Sequence, residues 1–198
     1  MTGLEPSAFL NAYRLLVQMT EEKTPPAVKR PRVDVIVPVY RGLADTRCCI
    51  ESVLASECQT PFELVVINDA SPEPEVSQWL REAAARHGFT LLENDENLGF
   101  VATVNRGMEQ HPERDVVLLN SDAEVANDWL DRLHAAALRE SHTASVTPFS
   151  NNATICSYPC FPEGGALVPG WSVAELDRLF AQTNAGRQVD IPTAVGFC

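Results

Sequence analysis

The stretch Arg114–Trp129, RDVVLLNSDAEVANDW, decides the fold class of this 198-residue chain. Its four consecutive apolar residues, Val116–Leu119, predict a strand that is buried on both faces inside a sheet. The strand runs directly into Asn120, Ser121 and Asp122. Ligands bind at the carboxyl ends of strands in open α/β sheets, and a carboxylate there suits a hard cation such as Mg²⁺ or Mn²⁺. Because all three residues are also good helix N-caps, this stretch alone leaves metal binding and capping both open.

The composition argues against several functional classes. A net charge of −12, from 27 acidic and 15 basic residues, makes nucleic acid a poor partner. No run approaches the roughly 18 apolar residues of a transmembrane segment. Glu5 and Arg14 stand where a secretory signal would have its apolar core. The six cysteines form no C-x-x-C pair, which predicts reduced, mostly buried thiols in a cytosolic protein.

Strand and helix patterns alternate along the chain with short connections, which predicts a mainly parallel sheet with helices on both faces. Asp45 is the predicted N-cap of the first helix, and Gly88 is the predicted C-cap of the second. The predicted strands are Val33–Val39, Phe62–Ile67, Phe89–Leu92, Val116–Leu119 and Ala144–Thr147; the predicted helices are Asp45–Ala55, Glu75–Arg86, Val101–Glu109, Trp129–Arg139 and Ser172–Ala185.

The flanking segments give the domain organisation. Leu4–Glu22 predicts an amphipathic helix and Thr24–Pro31 a proline-rich linker. The predicted organisation is therefore an N-terminal helix and linker, residues 1–31, followed by one domain, residues 32–198. The apolar end, Ile191–Cys198, indicates that this domain is incomplete at its C-terminus. Pro148–Gly170 predicts a long loop across the ligand edge, either a lid or a loose tether. In a lid, four of its side chains could bond the hydroxyls of a sugar: Ser150, Asn151, Asn152 and Thr154.

Three predicted strand ends meet at one edge of such a sheet: Pro38-Val39-Tyr40, Asn68-Asp69 and Asn120-Ser121-Asp122. The first turn has one glycine, and the chain has neither a GxxxxGK[ST] loop nor a G-x-S-x-G elbow, which argues against dinucleotide enzymes, P-loop enzymes and α/β-hydrolases. Asp69 could accept the N–H of a pyrimidine base or a ribose hydroxyl, and Tyr40 could stack on that base. Asp122 could hold a cation on the diphosphate. Alternatively, Asp69 only starts an Asx-turn and Tyr40 only packs.

Four segments, VDVIVPVYRG, FELVVINDASPEP, ENLGFVATVNRGM and DVVLLNSDAEV, resemble in this order the family 2 glycosyltransferases of the GT-A fold. The resemblance covers Val33–Cys198 and implies a three-layer α/β/α domain that binds a nucleotide-diphosphate sugar. It implies nucleotide contacts from Pro38, Val39, Tyr40 and Asp69, donor contacts from Asn97, Gly99 and Asn105, and a D-x-D-like metal motif at Asn120-Ser121-Asp122.

The implied activity is metal-assisted transfer of the sugar, with inversion, to a glycan or lipid-linked acceptor. The resemblance also implies a role in the synthesis of cell-surface polysaccharides. It places the enzyme in the cytoplasm, at or near the inner face of the membrane. Asn120 replaces the first acid of D-x-D, so Asp122 would carry Mg²⁺ or Mn²⁺ largely alone, with Glu124 as a candidate helper. The general base is expected beyond Cys198.

Two other functions stay open. One is a non-catalytic nucleotide-binding or interaction module that uses the N-terminal helix as its contact surface. The other is a nucleotidyltransferase, which would need a Gly-rich, basic first loop where this chain has only Arg41-Gly42.

Overall fold

Four short hydrophobic strands form one parallel sheet. The computed structural model describes residues 33–184 and 186–198, so the predicted N-terminal helix and linker lie outside the described residues. The strands lie in the order β3-β2-β1-β4. Their bounds are β1 (Val33–Val39), β2 (Phe62–Asn68), β3 (Thr90–Glu93) and β4 (Asp115–Leu118). The carboxyl ends of β2, β1 and β4 are therefore neighbours, as the sequence predicts.

The described residues contain five α-helices, one after each strand and one further along the chain. Their bounds are α1 (Leu43–Ala55), α2 (Pro74–His87), α3 (Gly99–Met108), α4 (Trp129–Ala137) and α5 (Val173–Asn184). Side chains alternate across β1, so Val35 and Val37 join the core cluster that contains residues of α1, α2 and α4. Ile36 points to the other face and packs in a second cluster with Val104 of α3. The three-layer α/β/α arrangement is thereby confirmed.

Glycine residues determine where α1 begins and where α2 ends. Gly42 adopts a left-handed φ of 86° and α1 begins directly after it, so the prediction that Asp45 is the N-cap is wrong. Asp45 lies in the first turn instead, where a carboxylate still interacts favourably with the helix dipole. Gly88, with a φ of 76°, ends α2 as predicted.

The predicted fifth strand at Ala144–Thr147 does not form; these residues have no regular structure. As a result β4 lies at the edge of the sheet that residues 33–184 and 186–198 form, rather than in its interior, and the prediction of a strand buried on both faces is wrong. Val116 is 37% exposed. A β-prone segment becomes a strand only if another strand pairs with it. Asn120, the second residue after β4, takes a different partner: its N–H donates to Phe197 O at 3.0 Å.

The loop 148–170 is folded on itself by backbone hydrogen bonds. It contains a 3₁₀ turn at Thr154–Cys156. Ser150 N donates to Cys156 O, and Tyr158 N donates to Ser150 O. The Tyr158 ring packs against Phe180 of α5, with 4.6 Å between ring centroids. The loop is therefore anchored to α5, and its closure as a lid stays a prediction.

Candidate donor-binding site

Asp69 is the centre of the candidate site. It follows β2 directly, and its backbone N–H donates to Val39 O at 2.8 Å, so β1 fixes its position. Its carboxylate oxygen Oδ1 accepts from Asn94 Nδ2 at 2.7 Å and from Leu98 N at 2.8 Å. The other oxygen, Oδ2, accepts from Gly99 N at 3.0 Å. The Asp69 carboxylate thus links the end of β3 and the start of α3 by hydrogen bonds, at the carboxyl edge of the sheet.

The charge of Asp69 is stabilised by these contacts. Burial alone would raise the pKa of the carboxyl, but hydrogen bonds from Asn94, Leu98, Thr103 and Gly99 outweigh it and hold that pKa below its ordinary value. The amino terminus of α3 adds the favourable end of its helix dipole. A carboxylate has about four acceptor positions, so most of them are already used inside the protein. A base or ribose would have to share this carboxylate with the α3 amides.

Gly99 needs to be glycine at this point. Its φ of 77° lies in the left-handed region, and its N–H also donates to Asn97 Oδ1 at 2.9 Å. Asn97 therefore lies in the same turn as Gly99, and its contact with a donor stays a prediction. Asn105 lies on α3, its side chain exposed, and it makes no side-chain hydrogen bond within residues 33–184.

Asn94 is a site residue that sequence reasoning missed. It is 8% exposed and its amide donates both to Asp69 and to Thr103 Oγ1 at 3.1 Å. Its oxygen accepts a short hydrogen bond from Arg106 Nη1. The only sequence signal was a polar residue directly after β3, because the pairing with Asp69 joins residues 25 positions apart.

The residues at the end of β1 differ in what they can offer a ligand. Val39 is fully buried and its side chain packs in the core, so only its backbone faces the edge. Pro38 is half-buried. Tyr40 is 38% exposed, and the Arg41 guanidinium carbon lies 5.2 Å from its ring centroid. Tyr40 and Arg41, which follow Val39 at the end of β1, therefore offer an aromatic ring and a cation to a ligand.

Asn120, Ser121 and Asp122 follow β4 at the same edge. Asn120 O accepts from Ala123 N at 3.1 Å and from Cys49 Sγ of α1 at 3.4 Å. Burial raises the pKa of the Cys49 thiol to about 12, so it stays protonated and can donate. The capping alternative is wrong, since α4 begins at Trp129, well beyond these three residues.

The donor set of this segment suits a hard divalent cation. Asp122 is exposed, and no side chain of the described residues donates a hydrogen bond to its carboxylate. The Asn120 amide and the Ser121 hydroxyl, adjacent to it in sequence, offer further oxygen atoms. Glu124 is hydrogen-bonded to Cys48 of α1. These oxygens are of the type that Mg²⁺ and Mn²⁺ prefer, although only one is a free carboxylate.

A second group of side chains has the spacing of a metal site but lies elsewhere. Ligand atoms of Asp34, Glu63 and His111 lie within 4.8 Å of one another. Arg114 Nη1 already lies between them, 2.7 Å from Asp34 Oδ1 and 2.9 Å from Glu63 Oε2. Asp34 and Glu63 are near the amino ends of β1 and β2. This group is therefore a salt-bridge cluster at the edge opposite the candidate donor site.

The sequence model described as "Glycosyl transferase family 2" matches residues 34–154, more than half of the chain. This chain belongs to glycosyl transferase family 2. The family match confirms the resemblance and covers Asp69, Gly99 and Asp122 together. Among the described residues, no helix combines the length and apolarity needed to cross a bilayer.

Curated relatives are longer than this chain. It is 28% identical over 148 residues to YibD, an uncharacterised glycosyltransferase of Escherichia coli K12, covering 75% of this chain and 39% of YibD. It is 30% identical over 111 residues to protein y4gI of Sinorhizobium fredii, covering 55% of this chain and 12% of y4gI. The chain thus spans well under half the length of either relative.

Two solved structures with similar folds carry nucleotide sugars. Staphylococcus aureus TarS 1–349 in complex with UDP-GlcNAc is 21% identical, with a TM-score of 0.46, over 53% of this chain and 30% of TarS. PcManGT, a mannosyltransferase of Pyrobaculum calidifontis in complex with GDP-Man and Mn²⁺, is 25% identical, with a TM-score of 0.40, over 59% of this chain and 35% of PcManGT.

Proposed function

We propose that this chain is the donor-binding part of a glycosyltransferase that moves a sugar from a nucleoside-diphosphate sugar to an acceptor hydroxyl with inversion. The observation that carries the proposal is the Asp69 carboxylate, which gathers Leu98 and Gly99 at the carboxyl edge of the sheet inside the family-matched segment. That edge is where open α/β sheets bind ligands.

The residues have distinct proposed roles. Tyr40 flanks the base, while Asp69 orients it or holds the turn of Asn97 and Gly99 against the donor. Asp122, with Asn120 and Ser121, holds Mg²⁺ or Mn²⁺. When bound, that cation supplies Lewis-acid stabilisation of the departing diphosphate.

In the proposed reaction the acceptor oxygen forms a bond to C1 of the sugar as the bond from C1 to the diphosphate oxygen breaks. A carboxylate takes the proton of the acceptor hydroxyl. We assign this base to none of the described residues. A glycan or lipid-linked acceptor, a cytoplasmic location and a part in polysaccharide synthesis stay predictions from the resemblance.

The test is a thermal-shift panel of uridine, thymidine and guanosine diphosphate sugars with and without Mn²⁺. A ligand that binds only the folded state stabilises it by about 2.7 kcal/mol at a hundredfold excess over Kd. We expect one nucleotide class to give such a shift with Mn²⁺, and Asp122→Asn to lose it. Asp190→Asn, which changes an exposed carboxylate outside the site, is the control. The proposal fails if no nucleotide sugar shifts the wild-type protein.

A second candidate function is a non-catalytic nucleotide-binding module. The observation that favours it is Asn120, which leaves the metal motif with one carboxylate, Asp122. Nucleotide binding that is insensitive to EDTA and to Asp122→Ala would support this module and contradict metal assistance.

A further inference from the structure

The connection that carries the candidate metal residue has little packing support on one side. Residues 119–128 link β4 to α4 without forming a helix or strand of their own. A cavity of about 280 Å³ lies beside this connection, between α1 and α5, and Ser52, Val125, Asn127, Ala174 and Arg178 line it. Ala123 and Val125 pack against the core on the other side. On the cavity side, where side chains do not fill the space, hydrogen bonds hold the connection.

On the cavity side, three hydrogen bonds to Ser52, Glu57 and Asp177 hold Val125 and Asn127, in addition to the bonds that Leu119 and Asn120 make at the start of the connection. Val125 N donates to Ser52 Oγ of α1 at 3.1 Å. Glu57 N, after α1, donates to Asn127 O at 2.9 Å. The third comes from the other wall: Asn127 Nδ2 donates to Asp177 Oδ2 of α5 at 2.7 Å.

Asp177 makes the strongest of these attachments. Besides Asn127, it binds Arg132 Nη2 of α4 through both carboxylate oxygens, at 2.6 and 2.7 Å. Charge-assisted hydrogen bonds of this kind are about twice as strong as neutral ones. Asn127 is also held in the left-handed region, with a φ of 54°, and its amide reaches Ala174 O at 3.1 Å. A strained residue persists only where its surroundings fix it.

We propose that Asp177 is a positioning residue for the metal-binding segment Asn120–Asp122. The proposal rests on the proposed function, since it concerns the same site. By fixing Asn127 and Arg132 together, Asp177 keeps the connection from relaxing into the cavity and so holds the Asp122 carboxylate at the donor edge. Neither the D-x-D-like motif nor the family-matched segment contains Asp177, which lies beyond residue 154.

The experiment measures Mn²⁺ affinity directly. Mn²⁺ is titrated in the presence of whichever of UDP, TDP and GDP binds most tightly, and the free ion is followed by electron paramagnetic resonance. Loss of a group that orients a metal ligand typically weakens metal binding 10–100-fold, and we expect about tenfold for Asp177→Asn. Metal-free nucleotide binding should stay at the wild-type value, because Asp69 and Tyr40 do not contact Asp177.

Matched variants separate positioning from simple structural support. Asn127→Gly removes the amide but accepts the left-handed φ, so it loses only the attachment to α5. It should weaken Mn²⁺ binding as Asp177→Asn does, and the double variant should lose less than the sum of the two, because both break one link. Gln182→Ala, on the exposed side of α5, should bind Mn²⁺ like the wild type.

Unchanged Mn²⁺ affinity in Asp177→Asn and Asn127→Gly would overturn the inference, even if the melting temperature fell. Asn127→Gly decides the matter if Asp177→Asn does not fold. If the wild-type protein shows no Mn²⁺-dependent nucleotide binding, both the metal step of the proposed function and the inference fail. The wild-type titration distinguishes this result from a failure of the inference alone.

Discussion

At the scale of single residues, Asp69 carries more of the candidate site than any other side chain. It is 4% exposed and accepts from one side chain amide and two backbone amides. The substitution Asp69→Asn keeps the shape of this side chain and removes its charge. The new NH₂ group would then face N–H donors, which leaves at least one buried donor unpaired.

We expect Asp69→Asn to lower the free energy of unfolding by about 2–3 kcal/mol, the usual cost of an unpaired buried donor or a lost hydrogen bond to a charged group. Urea denaturation measures this loss. Asp95→Asn, an exposed change in the connection between β3 and α3, should change the free energy by less than about 0.5 kcal/mol. Equal stability of the two variants would show that Asp69 does not organise the turn.

Individual residues also show what a sequence can and cannot predict. Asp69, Gly99 and Asp122 could be proposed from the sequence because they match motifs near strand ends or at the start of a helix. The roles of Asn94, although it also follows a strand, and of Asp177 could not be predicted, since each depends on a partner distant along the chain, Asp69 for Asn94 and Asn127 for Asp177. No local pattern encodes such a pairing.

At the scale of elements, α3 packs unusually close to the sheet. A Cβ added at Gly107 would lie 2.8 Å from Ile36 Cγ2 and 2.9 Å from Ile67 Cδ1. Both isoleucines are fully buried. Overpacking a filled core typically costs about 1–3 kcal/mol, against a gain of about 1 kcal/mol from replacing glycine in a helix. We therefore expect Gly107→Ala to destabilise the domain, as measured by urea denaturation.

The same contacts supply the control for Gly107→Ala. Ile67→Val removes the Cδ1 methyl and on its own should cost about 0.5–1.5 kcal/mol. In the double variant the new methyl gains room, so the combined loss should be smaller than the sum of the two single losses. Strictly additive losses would contradict the close contact between α3 and β2.

The elements were predicted unevenly, for a physical reason. Strand β1 and the C-cap at Gly88 follow from local chemistry, namely an apolar run and a residue that tolerates a positive φ. Whether Ala144–Thr147 forms a strand, and whether β4 lies at the edge of the sheet, depends on which segments pair. Pairing is a tertiary choice, and an apolar run such as Val116–Leu119 does not reveal how many neighbours it has.

At the scale of the whole molecule, the charges are distributed so that several carboxylates depend on partners in the folded state. Hydrogen bonds from Arg114 lower the pKa of Glu63, and those from Arg81 lower the pKa of Glu93. Burial opposes the same shift at Asp69, but its hydrogen bonds outweigh it. In each case the unfolded chain binds protons at a higher pH than the folded one.

The direction of these pKa shifts determines how the stability depends on pH. A carboxyl whose pKa is lowered by folding contributes stability above its unfolded pKa, about 4.3 for Glu and 3.9 for Asp. That contribution is lost as the pH falls through the lower folded pKa. Relief of self-repulsion in a chain of net charge −12 acts in the opposite direction, but 0.2 M salt screens it more than it screens close pairs.

Glu63→Gln tests this argument because it removes one partnered carboxylate at the amino edge of the sheet, away from the candidate donor site. Glu63 Oε2 lies 2.9 Å from Arg114 Nη1, and both side chains are half-buried. We expect the variant to be about 1 kcal/mol less stable than the wild type at pH 7, the upper end for a partly exposed pair. The difference should begin to shrink as the pH falls below about 4.3, the pKa of an unfolded Glu, and should disappear as the pH passes through the lower folded pKa of Glu63. Urea denaturation in 0.2 M salt at pH 7, 5 and 4 measures it, with Glu109→Gln, an exposed change, as the control. A difference that stays constant across this range would mean that Glu63 stabilises the fold by its shape and not by its charge.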